Sequence, residues 1–279
     1  MIELSHLVHD FDGDVGVYVC RLPSGEEISI RPDEVFPTAS LIKVPILIAT
    51  FAAIERGDID YNDELIYDAS REYPGHDLLG SFRDGETITV SRLVHLMLSL
   101  SDNTASLWLQ ELAGTGTAIN DWLVSGGFEH TRVNSRTPGR EAEYDEFGWG
   151  QTTPREMAEL MVMIYDRRAV SGSASEEMYR ALSGTWFRGE AIGVIPPYVQ
   201  TASKQGAIDR SRSEVAIVNA PSSPYVLSAI TKNQADTSWE HDNAGFALLR
   251  DISRTIWNHF EPDRQYAPPD GCERWWSGE

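Results

Sequence analysis

Three short groups of residues in this chain of 279 carry the chemistry of covalent acyl transfer, and they occur in order. The first is Ser40-Leu41-Ile42-Lys43. Residues three apart on a helix share a face, so the amine of Lys43 can reach the hydroxyl of Ser40. A serine hydroxyl is a weak nucleophile until a base takes its proton. A lysine flanked by apolar residues and close to a second cation has its pKa driven down toward that role. A helix N-terminus at Ser40 adds oriented N–H groups where negative charge would develop.

The second group is Ser101-Asp102-Asn103, at a break between two helical patterns. Here Ser101 can pass a proton to a leaving group, Asn103 can hold a substrate amide, and Asp102 can brace the backbone. The same residue types also make an ordinary helix N-cap. The third group is Lys204-Gln205-Gly206, within or just after a strand. Lys204 supplies positive charge for a substrate carboxylate, and Gly206 lets substrate lie close to the strand. The N–H groups of Ser40 and Ala207 are candidate donors of an oxyanion hole. Arg210 and Arg212 follow closely and are candidates for a bidentate clamp on a carboxylate. The competing reading of these arginines is pairing with Glu214 or other acids.

These groups need elements to hold them. Glu3–Phe11 has helical apolar spacing. Asp14–Cys20 and Glu27–Ile30 alternate as strands around a Pro23-Ser24-Gly25 turn, which predicts a hairpin. Helical spacing then dominates, over Leu41–Glu55, Val90–Leu100, Thr104–Ala113, Ala118–Ser125 and Pro154–Tyr165. The last opens with a capping Thr153, Pro154 at its first position and Glu156 at its third. Strand signals return at Tyr198–Ala202, Glu214–Asn219 and Tyr225–Thr231, and an amphipathic helix spans Ala244–Phe260. Strands near both ends with helices between them imply one antiparallel sheet completed by distant segments, with a helical lobe against it. Ligand sites form in clefts between such lobes.

Composition narrows the function further. There are 43 acidic residues against 23 basic ones, a net charge of −20. A surface this acidic disfavours nucleic acid and anionic membranes as partners. No apolar run approaches the roughly 20 residues of a membrane span. The N-terminus lacks a basic stretch followed by a long apolar run, so no signal peptide is expected. Either the chain stays inside the cell or it is a mature form; its location is left open. Cys20 and Cys272 read as two free thiols, with one disulfide joining the chain ends as the alternative. His6 and His9 read as two faces of a short helix, so no metal site and no cofactor are expected. The Trp275-Trp276 tail reads as a patch packed on the surface.

The ordered set S-x-x-K, S-D-N and K-x-G resembles the signature of class A β-lactamases and penicillin-binding proteins. Of the three lysines in the chain, Lys43, Lys204 and Lys232, two fall on the motif positions. The resemblance implies an α+β fold (an α/β sandwich), with a five-stranded antiparallel sheet flanked by helices beside an all-α lobe. Residues 1–36 and 184–262 would form the sheet lobe, 37–183 the all-α lobe and 263–279 a tail. It implies a monomeric serine hydrolase that acylates Ser40 with a small β-lactam or acyl-peptide and then hydrolyses the ester. Lys43, Ser101 and Lys204 would be its other catalytic groups, and Asn103, Gln205, Gly206, Arg210 and Arg212 would bind substrate.

Two positions depart from the family pattern. Gln205 stands where a Thr or Ser hydroxyl is usual; its amide can still donate, with a longer reach. In the loop before Thr152-Thr153-Pro154, where the family carries a Glu that activates the deacylating water, this chain has Thr137-Pro138-Gly139-Arg140-Glu141. Thr137 holds the Glu position, and one of Glu141, Glu143, Asp145 and Glu146, with Glu141 and Glu143 the first candidates, would have to serve as a substitute base. Without one, acylation through Lys43 would outrun hydrolysis. The departure keeps two alternatives open: a D-Ala-D-Ala-type peptidase, amidase or esterase, and a penicillin-binding sensor or non-catalytic paralogue.

Overall fold

A computed structural model describes residues 2–75 and 77–275. Helix α1 (Ile2–His9) leads into a hairpin of β1 (Asp14–Arg21) and β2 (Glu26–Ile30). A two-residue strand, β3 (Phe36–Pro37), precedes a 3-10 turn over Ala39–Ile42 and then α2 (Lys43–Arg56). Gly57, at φ 78°, ends α2 in the left-handed conformation that glycine adopts without steric cost. The short strands β4 (Glu64–Ile66) and β5 (Thr87–Thr89) come next, then α3 (Val90–Ser99), α4 (Asn103–Leu112) and α5 (Thr115–Ser125). A loop segment follows, built from β6 (Arg132–Val133), α6 (Glu141–Phe147) and β7 (Gly150–Thr152). The chain closes with α7 (Pro154–Tyr165), α8 (Gly172–Leu182), β8 (Thr201–Ile208), β9 (Ser211–Val218), β10 (Tyr225–Lys232) and α9 (Ala244–Phe260).

Five strands form one antiparallel sheet in the order β2-β1-β10-β9-β8, so the N-terminal hairpin and the three C-terminal strands join through the β1–β10 ladder. Strand side chains alternate between faces, and each face has its own core. Val15, Val17 and Val19 of β1 pack with Ala216, Leu227, Leu249, Ile252 and Trp257 on the α9 side. Tyr18, Val215, Ile217, Val226 and Ile230 pack on the opposite side with α7 residues Met157, Leu160 and Met161. That second core runs on through Ile46, Leu47, Leu93, Met97 and Leu109 of the helical region.

The middle of the chain departs from the all-helical expectation. It carries a β4–β5 ladder and a β3–β7–β6 ladder, and its helix α7 is packed on the sheet itself. Strand β8 begins at Thr201, three residues later than the sequence pattern suggested, and runs through the whole Lys204 motif. Pro196 and Pro197 lie in the preceding segment, where a missing N–H excludes a ladder bond. Helices α6 and α8 were not legible in the sequence. α6 buries no residue, and α8 interleaves its apolar positions with Ser, Glu and Arg.

Thr153 caps α7 as its sequence suggests, accepting from Glu156 N at 3.1 Å. Glu156, however, does not reach back to the cap. Its carboxylate accepts from the N–H groups of Glu129 at 2.7 Å, His130 at 3.0 Å and Thr131 at 2.6 Å, and so anchors the entry to β6. Cys20 and Cys272 are free thiols. Trp275 is exposed rather than packed, and Trp276 lies outside the described residues. Among the described residues, no helix is long and apolar enough to cross a membrane.

Candidate active site

Ser40 sits in the 3-10 turn before α2, not in the α-helix itself. Lys43 opens α2 and is fully buried. Its Nζ lies 3.0 Å from Ser40 Oγ, 3.0 Å from Ser101 Oγ, 2.5 Å from Ser101 O and 2.8 Å from Asn103 Oδ1. An ammonium has three protons for these four oxygens. A neutral amine fits them in another way. Its two N–H bonds go to the acceptor-only oxygens, Ser101 O and Asn103 Oδ1, and its lone pair accepts from a hydroxyl. The amine thus lies within proton-transfer reach of two hydroxyls, those of Ser40 and Ser101.

Ser101 comes from the turn between α3 and α4. Its φ of 56° is a left-handed conformation that costs a non-glycine residue free energy, as does the φ of 43° at Ala39 beside Ser40. Asp102 holds the turn in place: Oδ1 accepts from Ala105 N at 2.8 Å and caps α4, while Oδ2 accepts from Leu79 N at 2.9 Å. Burial raises the Asp102 pKa above the usual carboxylate range, against the pull of these two N–H bonds. The turn thereby delivers the Ser101 hydroxyl and the Asn103 amide to the same amine.

Lys204 arrives from β8 and is also fully buried. Its Nζ lies 3.0 Å from Ser101 Oγ, 2.8 Å from Gln205 O and 2.7 Å from Gln205 Oε1. The side-chain oxygen of Gln205 is thus turned onto Lys204, and the residue is buried. Gly206 lets β8 lie close against the turn that carries Ser40. A Cβ placed there would meet Ser40 N, Thr38 O and Ser213 Oγ, each at 2.8 Å. Ala207 follows it on the strand, opposite Arg212 in the register.

The two arginines and the loop acids Glu141 and Glu143 do not join this group. Arg212 lies on the α9 face of the sheet, fully buried, with its guanidinium between the rings of Trp239 at 4.5 Å and Phe246 at 4.7 Å. It donates to the carbonyls of Ser211, Ser238 and Ile208. The alternation of strand side chains decides this, because Arg212 shares a face with Glu214 and not with Ser213. Arg210, in the β8–β9 turn, donates to Asn233 O at 3.0 Å. Glu141 accepts from Gly139 N at 3.2 Å and Glu143 from Arg140 at 3.0 Å, both on α6. The Thr137 hydroxyl donates to Ser135 O and is packed against Gly116 of α5. The residue that the loop does bring to Lys43 is Trp149, whose ring centroid lies 5.9 Å from Nζ. The sequence analysis did not single it out; an aromatic ahead of a strand reads as core.

Fold and site together define a serine hydrolase that works through an acyl-enzyme, built like the class A β-lactamases. The profile of the β-lactamase enzyme family matches residues 2–260, and the chain belongs to that family. A β-lactamase structure from Sphaerobacter thermophilus superposes with a TM-score of 0.83 at 26% identity, covering 96% of this chain and 97% of that one. The β-lactamase VEB-1 of Pseudomonas aeruginosa is 19% identical over 277 residues, 93% of this chain and 89% of its own. The β-lactamase regulatory protein BlaB of Streptomyces cacaoi is 38% identical over 152 residues, half of this chain and 47% of its own length.

Proposed function

We propose that this protein opens β-lactam amides by acylating Ser40. Lys43 takes the Ser40 proton as Oγ attacks the carbonyl carbon. The N–H groups of Ser40 and Ala207 hold the resulting oxyanion, which is favoured by the close contact of Gly206 with Ser40 N. The C–N bond then breaks, and the nitrogen takes its proton from Ser101 Oγ. That proton is replenished from Lys43, 3.0 Å away. Asn103 and Gln205 border the substrate, and Lys204 faces its carboxylate. Water finally cleaves the Ser40 ester and releases the acid.

The single observation that carries this reading is the Lys43 shell, with a nucleophilic hydroxyl and a proton-shuttling hydroxyl both 3.0 Å from one buried amine. Intact-mass spectrometry after mixing with a penicillin tests it. The expected result is one adduct on the native protein and none on Ser40→Ala. An adduct that persists on Ser40→Ala would place the nucleophile elsewhere. No adduct on the native protein would remove β-lactams as substrates.

A further inference from the structure

The residues between the β6 and β7 strands form a loop closed at its neck, where Asn134 N and Ser135 N both donate to Trp149 O, at 2.8 and 3.0 Å. That neck fixes the Trp149 backbone. Its ring is fixed separately, edge-on to Tyr73 at 5.0 Å between centroids and 89° between planes. Tyr73 is tied in turn by its N–H to Thr104 Oγ1 at 2.9 Å, beside Asn103. The indole is therefore held at both ends against the Lys43 shell. It also lines a cavity of about 560 Å³, together with Tyr73, Leu107 and Tyr144.

An indole ring in this place has two chemical consequences. Its face attracts a cation but offers no lone pair to take a proton from water. Its bulk also takes up space beside Lys43, where a water oriented by the loop would have to lie to be activated there. Two of the loop's carboxylates are engaged elsewhere, Glu143 by Arg140 and Glu141 by Gly139 N.

We propose that Trp149 sets the fate of the Ser40 acyl-enzyme, prolonging its life by occupying the position beside Lys43 from which a hydrolytic water would be activated. Trp149 is a positioning residue in this account, and the proposal rests on the acylation of Ser40 proposed above. It carries a geometric corollary. A carboxylate at the place of the ring would lie about 6 Å from Lys43 Nζ, the span of one water making two hydrogen bonds of about 2.8 Å. Position 149 is then one from which this loop can supply a base. Position 137, where sequence comparison puts it, faces α5.

The experiment follows acylation and acyl-enzyme half-life by intact mass with a penicillin, in the native protein and in Trp149→Phe, Trp149→Gln, Trp149→Glu and Thr137→Glu. Acylation should proceed at a near-native rate in the three position-149 variants. The Phe variant should keep the long half-life, and the Gln variant should shorten it by opening the site to the cavity. The Glu variant should hydrolyse the ester about 10²-fold faster than the Gln variant, the yield of one positioned general base. That gain should fade as pH falls through the carboxylate range. Thr137→Glu should not hydrolyse faster than the native protein. Equal half-lives in the Glu and Gln variants, with normal acylation, would overturn the proposal, as would rapid turnover by the native protein. Should the polar variants fail to fold, Tyr73→Ala frees the ring without touching position 149, and an unchanged half-life there counts against the proposal equally. Absence of any adduct on any variant is a different failure, that of the Ser40 reading itself.

Discussion

Lys43 and Lys204 converge on one hydroxyl: each Nζ lies 3.0 Å from Ser101 Oγ. One amine comes from the start of α2 and the other from the edge strand β8, so the turn carrying Ser101 links the two lobes. A serine oxygen has two lone pairs and one proton. Both amines lie within hydrogen-bond reach of this oxygen, so a proton that it passes to a leaving group can be replaced from either lysine. Replacing Ser101 by Ala should slow acylation of Ser40 by about 10²-fold or more. It should also destabilise the fold by roughly 1–3 kcal/mol, because two buried amines lose a shared partner. Stopped-flow acylation and urea unfolding measure the two effects separately, and a variant with native acylation kinetics would deny Ser101 its role.

Gly206→Ala tests the contact between the lobes. The added methyl meets backbone atoms of Thr38 and Ser40, which cannot swing away as a side-chain end can. The strand must move off, taking the N–H of Ala207 with it. A loss in acylation rate of about 10²-fold or more is expected, comparable with removal of one oxyanion donor. A melting temperature and acylation rate both equal to native would show that the sheet edge absorbs the methyl freely.

Arg212→Ala should act on stability and leave the chemistry alone. The substitution removes a guanidinium stacked between Trp239 and Phe246 and leaves the carbonyls of Ser211 and Ser238 without its donors. The cost should be on the order of 3 kcal/mol, given charged hydrogen bonds in a buried place. The half-saturating penicillin concentration for acylation should be unchanged in the folded variant. A large rise in that concentration with native stability would restore Arg212 as a substrate clamp.

Glu214 gives the protein a pH-dependent weakness. It is fully buried on the α9 face, near Ile192 N at 3.4 Å. Burial pushes its pKa up to about 7 from an ordinary 4.5, against the pull of Ser203, backbone N–H groups and the Lys204 charge. Between these two values the folded state holds a proton that the unfolded chain has released. Stability therefore falls as pH rises from about 4.5 to about 7, by up to about 3 kcal/mol, and levels off above. Glu214→Gln should be insensitive over that window, so its stability relative to the native protein should rise toward pH 8. Unfolding free energies of both proteins at pH 5 and pH 8 give the comparison; parallel changes would mean that Glu214 ionises normally.

Much of the site was legible because it is local. The i, i+3 spacing of Ser40 and Lys43 fixes their mutual reach whether the turn is α-helical or 3-10. Ser101-Asp102-Asn103 lies at a helix start, where Asp102 does cap α4 while its neighbours face inward. The hairpin and the strands of β9 and β10 followed from alternation. The illegible parts depend on partners distant in sequence. Glu156 had the spacing for a local capping box but finds three N–H groups at the loop entry instead. Gln205 offered a donor toward the cleft, yet its oxygen is claimed by Lys204. α6 has too little apolar surface to announce itself.

The sequence by itself determined the nucleophile's neighbourhood, the order of the motifs and the two-ended sheet, because helix spacing and strand alternation are properties of short segments. Only the tertiary structure decided which face of the sheet Arg212 occupies, where Thr137 points, and that Trp149 lies beside Lys43. Those outcomes turn on sheet register and on how a closed loop lies against a helix start. Both are set by long-range packing of the whole chain, which leaves no mark at the residues concerned.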